Sequence, residues 1–372
     1  MPSYQLMQIT RTLLIFLLLM PLAACDFINN LTNAAKTSTT DTTKTKTEEQ
    51  PIEELSFAAA PYTAWMPWFL AKEEETYTTY QDKYRVNINF VTSDYADTIE
   101  QYISGTVDAV AITNIDAIAK LVKEDVESDV VLIMSASNGN DAILLPANAN
   151  TNIRGKTIGF VEFSSRHYLL DRYLVRYQID FNDVKLSNMA EANLPNALLN
   201  GEVYGIVTSN PNVERLVRAQ QANVLFDSRQ ISNEILDLIV IRREKLIKQP
   251  GFAQALLAIW FTTMERLQGN RRGPTLDKLA QLAGLSREEY DRQMQTVLLN
   301  DTPTKALSAM RDRRSMTRAM RHIRYFIQRH DLIGKEAESY TEWVSFPGRT
   351  PALLHYNGQA LQDFVAPPKG NI

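Results

Sequence analysis

Six short polar clusters, each following a compact apolar run, hold most of the residues able to do chemistry. Tyr62, Trp65 and Trp68 follow a run ending at Ala59, Ser93, Asp94 and Tyr95 follow Val91, and Thr113, Asn114 and Asp116 follow Ile112. Next come Ser137, Asn138, Gly139, Asn140 and Asp141, then Glu162, Ser164, Ser165 and His167, and last Thr208, Ser209 and Asn210. Asp94, Asp116, Asp141 and Glu162 are carboxylates, and the cation among these tips is Arg166. Carboxylate pairs with Trp65 or Tyr95 on the face suit a planar amidine or guanidinium group. An oxyanion would call instead for guanidinium groups or several free helix N-termini. Ser164 or Ser165 with His167 offers an enzymatic alternative, a hydrolase built on a nucleophile and a base. Those three residues lie at one helix start, and no recognisable oxyanion-hole motif accompanies them. Structural roles compete at single positions: Ser164, Asp116 and Asn210 suit helix caps, the tryptophans a core, and His167 a local hydrogen bond.

The elements that must position these clusters alternate. Apolar runs at 55–59, 86–91, 109–112, 130–134, 157–161, 205–207 and 224–226 read as strands, with helical patterns at 68–84, 98–104, 116–123, 165–177 and 193–199 between them. That alternation implies parallel sheets in an α/β architecture, whose ligands sit beyond the carboxyl ends of the strands. From Glu244 onward the pattern turns helical, with apolar faces at 251–267, 286–298 and 315–328, the last opening on Ser315 as N-cap. The arginine-rich stretch 311–329 reads as the solvated face of a core-packed helix.

Composition removes several function classes. The 372 residues, 45% of them apolar, are enough for two domains or lobes with sizeable cores. A formal charge of −4 gives no reason to expect a nucleic-acid partner. One cysteine excludes an internal disulfide framework, and a zinc enzyme would need nearly all four histidines. Glycine-rich phosphate loops, His-Glu-x-x-His and the Gly-x-Ser-x-Gly elbow do not occur in the sequence, and no cofactor is expected.

The first residues give an address. Arg11, the apolar run 13–20 and the small residues before Cys25 make a secretory signal over 1–24, too short to span a bilayer. Leu22-Ala23-Ala24-Cys25 resembles the bacterial lipobox, which implies lipidation of Cys25. Asp26 resembles the signal that retains Gram-negative lipoproteins at the inner membrane. Residues 26–54, with three lysines against six acids and few large apolar side chains, read as a flexible tether of about 30 Å reach.

The clusters also carry a family resemblance. Tyr62-Thr-Ala-Trp65-Met-Pro-Trp68, Asp94-Tyr95, Thr113-Asn114-Ile-Asp116-Ala117 and Ser137-Asn-Gly-Asn-Asp141 look like successive signatures of the nitrate/sulfonate/taurine-type solute-binding proteins of ABC transporters. Glu162-Phe-Ser-Ser-Arg-His167-Tyr-Leu-Leu170 and Val207-Thr-Ser-Asn-Pro211 continue the match, which is closest to the branch associated with urea carboxylase. The resemblance implies a two-lobed, type II periplasmic-binding-protein-like clamshell with two crossovers and a helical C-terminal region. Lobe one would hold 55–141 and the returning chain 234–372, and lobe two 142–233. It further implies a non-enzymatic monomer that takes a small solute (urea- or guanidine-like compounds, nitrate, sulfonates or taurine) to an inner-membrane permease, and among these the carboxylates favour the urea, guanidine or amine type. The ligand residues expected are Trp65, Asp94, Tyr95, Thr113, Asn114, Asp116, Asp141, Glu162, Ser164, Ser165, His167, Thr208 and Asn210. Ser209 stands where the branch has tryptophan, which would enlarge or rewet the pocket. A sensory or structural envelope lipoprotein is the remaining alternative.

Overall fold

Long apolar runs with no polar alternation must be covered on both faces, and they set the centre of the fold. In the computed structural model, which describes residues 52–334, 344–345 and 352–366, the strand β4 (Ser128–Ser137) is buried along its whole length. It neighbours β10 (Leu236–Arg242), and β3 (Ala109–Thr113), β1 (Glu53–Ala59) and β2 (Val86–Thr92) continue the sheet. On the other side of β4 lie β13 (Leu354–Tyr356) and β12 (Val344–Ser345), and β11 (Val297–Leu299) also pairs with β4. β1 runs parallel to β2 and β3, whereas β10 is antiparallel to both β3 and β4. The edge strand β2 alternates Val-Asn-Ile-Asn, and its first three residues alternate buried and half-buried as one covered face requires.

A second sheet orders β7 (Lys185–Asn188), β6 (Thr157–Phe160), β8 (Gly205–Ser209), β5 (Asp141–Pro146) and β9 (Ala222–Asp227). β6 is parallel to β7 and β8, and β5 is antiparallel to β8 and β9. The chain therefore leaves the first sheet after β4 through residues 138–140 and returns after β9 through residues 228–235. Gly139 in the first crossover has φ +105°, and its N–H donates to Ser228 Oγ of the second at 2.7 Å. A side chain at 139 would be strained there, so glycine is required.

The helix Gly251–Arg266 is apolar nearly all round and is buried accordingly, with Trp260 against Trp68 at 5.2 Å and Trp68 edge-on to Phe57 at 4.8 Å. Trp68 is thus core. The helix Arg313–Arg329 buries Met316, Met320, Ile323, Phe326 and Ile327 and turns its arginines outward. Its cap is Asp312, which accepts the Ser315 N–H at 3.0 Å, so Ser315 lies inside the helix.

Several expectations are corrected. Both sheets are mixed, because β5 and β10 reverse direction at the crossovers. The expected helix 68–84 is three pieces, interrupted where Glu75 takes φ 54° and ended where Arg85 takes φ 56°. The second C-terminal apolar face, expected over 286–298, stops at Met294, and residues 297–299 are a strand on β4. Residues 53 and 54, expected in the tether, belong to β1 and pair with Val86 and Asn87. The expected signal sequence, Cys25 and the expected tether up to residue 51 lie outside the described residues.

Candidate functional site

The carboxyl ends of β1, β3, β4 and β8 converge with the start of β5 on a pocket between the two sheets. Its walls include Tyr62, Trp65, Thr113, Asp141, Arg166, Ser209, Asn210 and Asp237. The aromatic side is built by residues 62–65, which follow β1: Trp65 is 1% exposed and lies 5.0 Å from Tyr62 and 5.5 Å from Tyr95. Tyr95 accepts the Thr113 N–H on its hydroxyl at 3.0 Å, locking it to the end of β3. Burial pushes the hydroxyl pKa of both Tyr62 and Tyr95 up, so these phenols stay neutral.

Arg166 enters from the second residue of the helix Ser165–Arg176 and is 4% exposed. Its Nη1 donates to Ser165 Oγ at 2.9 Å and its Nη2 to Ser209 Oγ at 2.6 Å. Its Nε lies 3.3 Å from Glu191 and 3.9 Å from Asp141, and the guanidinium stands 5.7 Å from the centre of the Tyr62 ring. Burial alone would depress this group, but Glu191, Tyr62, Asp141 and Asp116 hold it well above its ordinary value.

Carboxylates outnumber that cation. Asp141 accepts from Ser137 Oγ at 2.5 Å. Asp116 accepts from Thr113 Oγ1 at 2.6 Å and from the Ser165 N–H of the opposite sheet at 3.3 Å, with Lys120 at 3.6 Å. Glu191 is held by Thr208 Oγ1 at 2.6 Å. Asp237 faces Thr113 and Ser135 across the ladder, at an irregularity of register between it and Leu238 that turns its side chain out of the apolar pattern. Burial, with Asp141 nearby, pushes its carboxyl up to about 6, and hydrogen bonds from Ser135 and Trp65 offset this only in part.

The remaining expected residues fall into two groups. Asn114 donates to the Glu234 carbonyl at 2.9 Å and accepts the Leu236 N–H at 3.0 Å, fastening the helix after β3 to the returning crossover. Asn210 donates to Thr296 Oγ1 at 3.0 Å and accepts the Glu214 N–H at 3.0 Å. Ser164 caps its helix, accepting the Arg166 N–H at 3.2 Å and donating to the Val161 carbonyl at 2.6 Å. Asp94, Glu162 and His167 are not brought to the pocket. Asp94 is exposed ahead of the helix Tyr95–Ile103, and the Glu162 N–H donates to Asn188 Oδ1 at 3.0 Å. His167 packs on Phe160 at 4.8 Å, Phe326 at 5.0 Å and His330 at 4.4 Å, and its Nδ1 accepts the Phe163 N–H at 3.4 Å. Burial and His330 push its imidazole down to about 3, which keeps it neutral. Neither serine hydrogen-bonds it among the described residues, so the geometry gives no support to the hydrolase alternative.

Tyr62, Arg166 and Ser209 stand in the polar strand-end clusters of the sequence but not among the expected ligand residues, and Glu191 and Asp237 are site residues in neither set. Asp237 had a signal, a lone acid in an otherwise apolar strand, whereas Glu191 had none. Among the described residues no acid–histidine cluster has metal-binding geometry, and no helix is long and apolar enough to cross a membrane.

Comparison with known proteins bears on this geometry. The profile of the NMT1-like family matches residues 48–284, more than half of the chain. No curated protein matches the sequence significantly. The fold is similar to that of the alkanesulfonate-binding protein SsuA from Xanthomonas axonopodis pv. citri, solved with MOPS bound, at TM-score 0.64 and 17% identity over 77% of this chain and 96% of that one. It is equally similar to the periplasmic aliphatic sulphonate binding protein SsuA from Escherichia coli, with TM-score 0.64 and 17% identity over 76% and 94% of the two chains. A Candida albicans protein described as having the generic periplasmic binding protein structural fold aligns with TM-score 0.57 and 13% identity over 74% and 94%. The chain has the periplasmic-binding-protein fold.

Proposed function

The chain belongs to the NMT1-like family, and from that premise we propose that it is the solute-binding component of an ABC importer. In this reading a small cationic or neutral nitrogen-rich solute, of guanidine, urea or amine type, is held between the two sheets and handed to a membrane permease. The observation that carries it is the charge of the pocket: Asp116, Asp141, Glu191 and Asp237 surround one buried arginine. Even with Lys120 set against Asp116, carboxylates remain in formal excess, and an entering anion would meet repulsion. A cation meets carboxylate oxygens on one side and the faces of Tyr62 and Trp65 on the other.

The two sheets act as the two lobes, and residues 138–140 and 228–235 as the hinge between them. Closure is held by groups that reach across. Glu214 accepts from Arg292 Nε at 2.6 Å and Gln293 Nε2 at 2.8 Å, and the Ser165 N–H donates to Asp116 at 3.3 Å. Lipidation of Cys25 would keep this receptor on the periplasmic face of the inner membrane. The sulfonates that the SsuA proteins bind by name are the competing ligands.

Calorimetry against guanidinium, urea, methylammonium, nitrate and taurine tests the reading. Binding of one or more nitrogen bases, weakened in Asp141→Asn, is expected. Binding of taurine or nitrate with silence from every nitrogen base would overturn it.

A further inference from the structure

We propose that Arg166 is the specificity-determining residue of this pocket, because its guanidinium fills the subsite that a ligand guanidinium or amidinium would take. A cationic solute then binds by displacing a side chain of the protein itself. This inference rests on the cation-binding reading above.

The partners of Arg166 are those a free guanidinium requires. Two hydroxyls accept from its terminal nitrogens, Ser165 Oγ at 2.9 Å and Ser209 Oγ at 2.6 Å. Two carboxylates lie beside Nε, Glu191 at 3.3 Å and Asp141 at 3.9 Å. The Tyr62 ring covers one face at 5.7 Å. With the side chain in place the remaining void is about 20 Å³, room for about one water molecule. A solute of even urea's size does not fit beside it, so with the sheets in this arrangement the side chain and the ligand exclude one another.

The side chain is also incompletely satisfied. Arg166 Nε and Glu191 Oε2 are both buried with no hydrogen-bond partner, although they face one another. A ligand that aligns better with Glu191 gains a charge-assisted bond that Arg166 does not make. Moreover, Arg166, Ser165, Ser209 and Glu191 all belong to the second sheet and its loops, whereas Tyr62 comes from the first. Separation of the sheets therefore strips the Tyr62 face from Arg166 and gives its long side chain a way out. The pocket has the shape of its ligand because it already holds a chemical copy of it.

The test compares wild type, Arg166→Ala and Arg166→Gln, all full-length, in calorimetric titrations with guanidinium, methylguanidinium and taurine. Arg166→Ala should bind guanidinium at least ten-fold more tightly than wild type, since no side chain must be expelled first. Arg166→Gln leaves every partner of the subsite in place, shortens the side chain and removes its charge, and should shift affinity in the same direction by a smaller factor. Thermal melts report whether each variant is folded, and Arg166→Gln decides alone if Arg166→Ala is not. If wild type binds guanidinium and neither variant binds it more tightly, the displacement idea fails while the cation-binding reading stands. If Arg166→Ala binds guanidinium and wild type binds no cation, Arg166 fills the subsite but no solute displaces it, and the displacement proposal falls together with the cation-binding reading. If wild type binds taurine and Arg166→Ala loses it, Arg166 is an anion ligand and the proposal is overturned.

Discussion

Replacing Asp237 with asparagine tests the electrostatics of the pocket through stability alone. The carboxyl is half-buried beside Asp141 and its pKa rises from 3.8 to about 6. Below pH 3.8 the group is protonated in the folded and unfolded chain alike, and it costs nothing. As pH rises from 3.8 to 6 the unfolded chain releases its proton first, so stability falls across that window. Above pH 6 the full difference remains, and about two units correspond to about 3 kcal/mol. Asparagine keeps the oxygen that faces Ser135 and removes the charge. Urea unfolding should therefore find Asp237→Asn about 2–3 kcal/mol more stable than wild type at pH 7.5 and within about 0.5 kcal/mol of it at pH 4. Titrating groups that do not interact with residue 237 cancel in this difference, because both proteins carry them. A gain of equal size at both pH values would mean packing rather than charge, and a loss at pH 7.5 would refute the argument.

Other consequences can be measured separately. His167, held neutral by burial and His330, should show no imidazole titration by NMR between pH 7 and 4. A transition near 6.5 would place it in solvent. Protonation as pH falls from 6.5 towards 3 should destabilise the fold, because the unfolded chain takes up that proton more readily. Glu214→Ala removes the contact to Arg292 and Gln293 and should weaken solute binding about five-fold, about 1 kcal/mol for a partly exposed pair. Scattering should show a larger radius of gyration for that variant, and an unchanged profile with unchanged affinity would remove the latch. Cys25→Ser should release the protein from membranes as soluble material or uncleaved precursor, and continued partition with lipid after maturation would end the lipobox reading.

The strand ends were legible because a parallel strand with both faces covered is a continuous apolar run, and the first polar residues after it are its carboxyl tip. That logic found Trp65, Thr113, Asp141 and Asn210, which the fold brings to one pocket. It could not separate Arg166 from His167. Successive helix residues differ by about 100° in direction, so the first points into the pocket and the second into the cluster of Phe160, Phe326 and His330. The strands β5, β10 and β11 escaped notice for another reason. Each owes its conformation to antiparallel partners distant in sequence, such as Ser209 for Asp141 and Ile112 for Leu238. Apolar runs of a few residues without clear alternation carry no period that distinguishes strand from helix. Glu191 reaches the pocket only through β8, which holds it by Thr208, and local spacing says nothing of such a contact.

The place of β10 has a consequence for how the chain can be made. It lies between β3 and β4, yet begins at Leu236 while β4 ends at Ser137. A nascent chain that has synthesised β3 and β4 but not β10 holds a slot one strand wide, with a row of unpaired N–H and C=O groups along each lip. The lips are the runs Ala-Val-Ala-Ile-Thr and Val-Val-Leu-Ile-Met, apolar and rich in β-branched residues. Such a slot accepts any compatible strand, including one from another copy. The final closing of the first sheet must wait until all five strands of the second have been laid down. A fragment ending before Leu236 should accordingly aggregate, and the interval between translation of Ser137 and Arg242 is when this chain most needs a holdase.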